Sequence, residues 1–270
     1  MSQERRQELR RFLKDRRARV KPAEVGLALT PRRRVRGLRR EEVTSLAGIG
    51  ISWYTALENG DAEGVSETTL RAVAEALRLT ESERDYLLEL AAQSEPSDAA
   101  ETPDTLIVET MRAIAFPAYI ITAAWDVVAC NGAFCRVWDV GVNELPFNAI
   151  ERMFVAAPAR AMHGANFAAN IAPVIAMFRS GVGRMPSSLR LRELRERLTA
   201  DPEIRAIWDD YEIRSPLLPN RVTVNSPIGE FTYETVTLAI SDARYGVVVQ
   251  VPDEASRELL LAATSHGQTS

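Results

Sequence analysis

Along residues 1–92 the apolar positions recur three and four apart, in short bursts separated by polar breaks. Leu9, Phe12 and Leu13 open the series, Val43, Leu46 and Ala47 repeat the spacing, and Tyr54 and Leu57 repeat it again. Ser66 stands ahead of a fourth burst, Leu70, Val73, Ala74 and Leu77, where its hydroxyl can accept from a free amide of the first turn. Thr80-Glu81-Ser82-Glu83 has the form of a capping box and opens a fifth helix through Tyr86, Leu87 and Leu90. Five helices with short connections predict an all-α domain over residues 1–92.

The pattern then changes. Residues 93–103, QSEPSDAAETP, are polar and small, and read as a linker. If flexible, such a segment has a reach of roughly 15–20 Å. Over residues 104–270 helical and alternating stretches mix. Thr102 and Pro103 suit a helix start ahead of Ile107, Met111 and Ile114. AYIITAAWDVVAC predicts a hairpin around Ala124-Trp125-Asp126. Two or three helices follow across 131–210, one of them started by Asp201-Pro202-Glu203. RVTVNS, EFTYETVTLAI and YGVVVQV predict three more strands, with Pro227-Ile228-Gly229 turning between the first two. Alternation in the middle one gives the sheet a wetter face. The expected second domain is α+β around an antiparallel sheet.

Composition narrows the class. Hydrophobic residues make up 46% and charged residues 26% of the 270-residue chain, ordinary for a globular protein of two domains. No apolar run reaches the roughly 18–20 residues a membrane helix needs. The basic N-terminus lacks the apolar core of a signal peptide, so a cytoplasmic protein is expected. Cys130 and Cys135 match no zinc spacing and read as small buried thiols. Charge is unevenly spread: residues 1–40 carry a net +11, residues 41–92 a net −8 and residues 93–270 a net −7. A concentrated positive field suits a polyanion; a solvated basic helix face gives the same count.

One stretch gives that charge a purpose. Arg39 to Gly60, RREEVTSLAGIGISWYTALENG, reads as a short helix, a glycine turn at Gly48 and a second short helix ended by Asn59-Gly60. Packing through Val43, Leu46, Tyr54 and Leu57 would leave one face of the second helix free. In a helix-turn-helix the start of that helix enters the major groove. Gly50, Ile51, Ser52 and Thr55 lie there: the hydroxyls can bond base edges and Ile51 can meet a thymine methyl. Arg39, Arg40 and Asn59 suit phosphates at helix ends. Arg33 and Arg34, in the run Arg32–Gly37, suit phosphates or a minor groove, unless that run is only a solvated loop. No Arg, Gln or Asn stands among Gly50, Ile51, Ser52 and Thr55.

This segment resembles the Xre family of helix-turn-helix regulators, through Leu57-Glu58-Asn59-Gly60 with Gly48 twelve residues before Gly60. The order LRRFLKDRRARVKPAEVGL, RRRVRGLRREEV, PAYIITAAWDVVACN, RMFVAAPAR, MFRSGVGRMP, LRERLTADPEIRAIWDDYEI and SPIGEFTYETVTL is similar to the MmyB-like regulators over nearly the whole chain. That resemblance implies a C-terminal PAS-like α+β domain that binds a small molecule, with a fatty acid the leading candidate. Departures are Asn166, where members often have Trp, and Phe147 before Asn148, where Arg is common.

On the residues themselves, the apolar stretch 166–178 puts Phe167, Ile171, Val174, Ile175 and Phe178 on one helix face. With Trp125, Phe134 and Trp138 they can line a pocket for an acyl chain, worth about 0.8 kcal/mol per buried CH₂; ordinary core packing has the same signature. Arg179 or Arg112 would neutralise a carboxylate. Catalysis finds little support. The histidines are His163 and His266, no H-E-x-x-H, G-x-S-x-G or P-loop occurs, and adjacent Asp209 and Asp210 point apart on a helix. No cofactor or metal is expected. The reading is a DNA-binding regulator, a homodimer on a palindromic operator, whose second domain senses an apolar molecule. The alternative is a second domain that serves protein interaction or dimerisation.

Overall fold

The computed structural model describes residues 3–27, 35–62, 65–91, 103–215, 218–239 and 245–266. The chain divides into two compact units, built mainly on the N-terminal third and on the remainder, and each is taken by itself. No helix of the described residues is long and apolar enough to cross a membrane.

In the first unit the helices are α1 (Gln3–Arg19), α2 (Arg40–Ala47), α3 (Ile51–Asn59), α4 (Glu67–Ala76) and α5 (Glu81–Ala91), with a 3-10 turn at Pro22–Val25. Leu9, Phe12 and Leu13 of α1 are buried and meet α5, where the Phe12 and Tyr86 rings pack edge-on at 5.1 Å. Each such fully buried side chain contributes about 1.5–3 kcal/mol. The caps sit where the sequence puts them. Ser66 Oγ accepts from Thr69 N at 3.2 Å, and Thr80 and Glu83 close their box, Thr80 N donating to Glu83 Oε2 at 2.7 Å. Leu46 departs from expectation. It is 41% exposed, because α2 turns Val43 and Thr44 inward instead.

The second unit holds α6 (Thr105–Arg112), β1 (Ala118–Thr122), β2 (Asp126–Cys130), α7 (Gly132–Trp138), β3 (Phe147–Asn148), α8 (Ala157–His163), α9 (Phe167–Arg184), α10 (Leu189–Leu198), α11 (Pro202–Asp209), β4 (Arg221–Ser226), β5 (Gly229–Ala239), β6 (Tyr245–Pro252) and α12 (Glu254–His266). The strands form one antiparallel sheet in the order β3-β2-β1-β6-β5-β4, so the last strand lies beside the first hairpin. The fold class is as expected, with differences in detail. α6 starts at Thr105, not at the Thr102-Pro103 pair, because Asp104 caps it by accepting from Leu106 N at 2.7 Å. Five α-helices, not two or three, occupy 131–210, and α12 follows the last strand. The expected linker lies almost wholly outside the described residues.

Strand parity sorts the sheet's two faces. Ala118, Ile120, Ala129, Val247 and Val249 pack with Met111 of α6. The opposite parity places Tyr119, Phe231, Tyr233 and Gln250 toward α7, whose Phe134 and Trp138 rings lie 5.0 Å from Tyr119 and 6.3 Å from Tyr233 respectively. Asn131 fixes that helix. Its Oδ1 accepts from Ala118 N at 3.1 Å and Phe134 N at 2.9 Å, while its Nδ2 donates to Ile114 O at 2.9 Å and Phe116 O at 2.8 Å.

Candidate nucleic-acid interface and ligand-facing core

α2 ends at Gly48, whose φ of 66° belongs to the left-handed region, and Ile49 N then bonds Thr44 O at 3.1 Å. The chain re-enters a helix at once, with Gly50 as N-cap and Tyr54 N on Gly50 O at 3.0 Å. α3 stops at Gly60, which needs glycine for two reasons. Its φ is 80°, and a Cβ there would lie 2.9 Å from Arg6 O of α1. Between these glycines Tyr54 and Leu57 point inward, while Gly50, Ile51 and Ser52 are exposed and Thr55 and Asn59 half-buried. Arg39 is exposed, its backbone N–H donating to Glu42 Oε2 at 2.7 Å. Arg33 and Arg34 lie outside the described residues.

What holds α3 is a charge the sequence reading passes over. Glu58 is wholly buried and takes two arginines: Arg17 of α1 through Nε at 2.8 Å, and Arg40 of α2 through Nε. Arg17 also donates to Leu38 O at 2.8 Å. A buried carboxylate is tolerable only when paired and hydrogen-bonded in this way. Arg40, expected on phosphate, is therefore engaged by Glu58, as Arg5 and Arg16 are by Leu90 O and Glu83. Part of the basic N-terminus thus stitches helices together. The available signal was an acid directly after Leu57, one helical turn on from the buried Tyr54.

In the second unit the structure brings most of the expected apolar residues together. Phe134, Trp138, Phe167, Ile171, Val174, Ile175 and Phe178 are all buried. Trp125, at φ 68° in the hairpin turn, is half-buried and meets Phe178 edge-on at 6.2 Å. Around Trp138 the chemistry is polar but neutral. Its Nε1 donates to Gln250 Oε1 at 2.9 Å, and its ring lies 6.1 Å from that of His163. His163 Nε2 lies 2.9 Å from Met153 O, so this nitrogen carries the proton, and Nδ1 accepts from Asn170 Nδ2 at 2.9 Å. Burial lowers its pKa more than the Met153 hydrogen bond raises it, and the Asn170 proton on Nδ1 suits the uncharged ring.

The two arginines expected to meet a carboxylate are placed otherwise. Arg112 is 59% exposed and pairs with Glu109 at 3.0 Å, apart from the buried aromatic set. Arg179 is buried, but its guanidinium lies 3.9 Å from the centre of the Trp208 ring and 4.3 Å from that of Tyr211, and donates to Trp208 O. Cys130 and Cys135 are free thiols with Sγ atoms 3.6 Å apart, and burial pushes the Cys130 thiol up to about 12. Among the described residues no group of His, Cys, Asp and Glu is arranged to hold a metal.

Comparison with known proteins supplies the family. Residues 8–87 match a helix-turn-helix domain, and residues 104–261 match the MmyB-like transcription regulator ligand binding domain. No curated relative matches at a significant level. A solved structure titled as that of an RNA-binding light-oxygen-voltage receptor is similar at 8% identity and a TM-score of 0.27, over 84% of this chain and 62% of that one. The families matched are those of non-enzymatic regulators. With an exposed α3 start in one unit and the matched ligand domain in the other, this chain belongs to the MmyB-like transcription regulators and is a DNA-binding regulator with a ligand-binding domain.

Proposed function

We propose that the chain binds a palindromic DNA operator as a cytoplasmic homodimer of the Xre type, and that its C-terminal domain senses an apolar chain-bearing small molecule, a fatty acid being the leading candidate. The observation that carries the ligand reading is the continuity of Phe134, Trp138 and the Phe167–Phe178 stripe of α9 on one side of the sheet. Such a surface suits a chain of methylenes, each worth about 0.8 kcal/mol on burial. On the DNA side Ile51, Ser52 and Thr55 read base edges, and Arg33, Arg34 and Arg39 take phosphates. Ligand occupancy changes operator affinity only by the ratio of its affinities for the two states.

The test is solvent extraction of the purified, denatured protein with mass spectrometry, followed by gel shifts with and without the molecule found. A stoichiometric apolar compound that alters operator affinity is the expected result. Absence of any such compound, with no added acyl molecule bound, would overturn the ligand reading in favour of a protein partner.

A further inference from the structure

Gln250 lies in the middle of β6, in the otherwise apolar run YGVVVQV, and is wholly buried. Its orientation is fixed. Trp138 Nε1 occupies the amide oxygen at 2.9 Å, which turns Nε2 away from the indole. That nitrogen, fully buried, has no hydrogen-bond partner in the structure. A buried donor left unmade is costly, so an unpartnered one calls for an acceptor from outside the chain. The surroundings settle its charge. Burial favours the neutral form of His163, whose two ring nitrogens are already taken by Met153 O and Asn170. Two arginines of the same domain are engaged elsewhere: Arg160 pairs with Asp201 at 2.6 Å, and Arg179 stands against Trp208 and Tyr211. A carboxylate brought here would be a buried charge without a counter-charge, which is far costlier than a buried carbonyl.

We infer that Gln250 Nε2 is the head-group donor of the ligand site, and that it selects a neutral acceptor, an amide, ester or undissociated acid, over a carboxylate. This rests on the apolar-ligand reading above and narrows its polar end, admitting a fatty acid only in its undissociated form or as a neutral derivative. Gln250 and Trp138 act as a pair, one donating to the ligand and the other locking the amide so that its nitrogen faces it.

Calorimetric titration of the full chain at pH 7.5 with decanamide and with decanoate tests it. Decanamide should bind at least about tenfold more tightly, since one hydrogen bond and one avoided buried charge separate the two. Gln250→Met, which keeps volume but has no donor, should remove that preference. Trp138→Phe, which frees the amide to turn, should weaken that preference without changing the donor itself. Equal binding of the two compounds by the unaltered chain, or tighter binding of decanoate, overturns the inference while leaving an apolar site. A preference that survives Gln250→Met also overturns it, because a fixed water then satisfies the amide. If neither compound binds, the apolar-ligand reading fails and this inference with it.

Discussion

The ground under the recognition helix and the ground under the Trp138 ring are both polar interiors, built on opposite rules. Beneath α3 the polar groups are full charges, Glu58 against Arg17 and Arg40. Beneath Trp138 they are neutral amides and an uncharged imidazole, each contact shared between two dipoles. The difference suits what each surface is proposed to meet. A domain facing a polyanion carries many arginines and can spend a few on its own helices, with a carboxylate as the common acceptor. A domain receiving an apolar molecule gains from an interior in which no charge must be matched.

Removing Glu58 tests the ionic half and has the largest expected effect. Glu58→Ala should lower unfolding free energy by about 3 kcal/mol, the low end for a broken buried pair because Arg40 is partly exposed and screened by water. Urea unfolding of the full chain measures it; a loss under 1 kcal/mol would place the pair among ordinary surface contacts.

Next comes the neutral half. His163 has a lowered pKa in the fold, so the unfolded chain binds its proton first as pH falls. Stability contributed by the neutral ring is complete above the unfolded value near 6.5 and is lost below it, at no more than about 1.4 kcal/mol per pH unit. Urea midpoints between pH 7.5 and 5 should therefore fall for the natural chain and fall less for His163→Gln. Parallel curves would mean that His163 does not titrate on unfolding.

The smallest effect sharpens the contrast between committed and available arginines. Arg39→Ala should reduce the log–log salt slope of operator binding by about 0.9, or roughly threefold in affinity between 50 and 200 mM salt. Arg40→Ala should reduce it less, since Glu58 already holds that guanidinium. Equal changes would show that the Glu58 pair opens on DNA.

Legibility in the sequence tracked the length and regularity of the signal. The bursts that became α1, α4 and α5, and the runs that became β4 to β6, were readable because each presents one apolar face over several turns or alternations. α12 was not, since Leu259, Leu260 and Leu261 stand side by side and mark no helical stripe. β3 has two residues and no period to detect. At the sites, residue type was legible and allegiance was not. Arg112 and Arg179 carry the right charge for a carboxylate, but one is claimed by Glu109 three residues earlier and the other by rings of a helix thirty residues on. The partners of Glu58 and Gln250 were not legible for a shared reason. Each polar side chain is buried by contacts from distant parts of the chain, Arg17 and Arg40 for one and Trp138 for the other, which no local pattern announces.

Asn131 shows how narrow such a position can become. One side chain serves four backbone groups, two with its oxygen and two with its nitrogen, at the meeting of α6, β1 and α7. Aspartate would offer oxygen where Ile114 and Phe116 present carbonyls, serine has a single proton for two acceptors, and glutamine carries the amide one methylene too far to cap its own helix. At this corner of the sheet the genetic code has a single serviceable letter, and drift in the surrounding sequence must proceed around it.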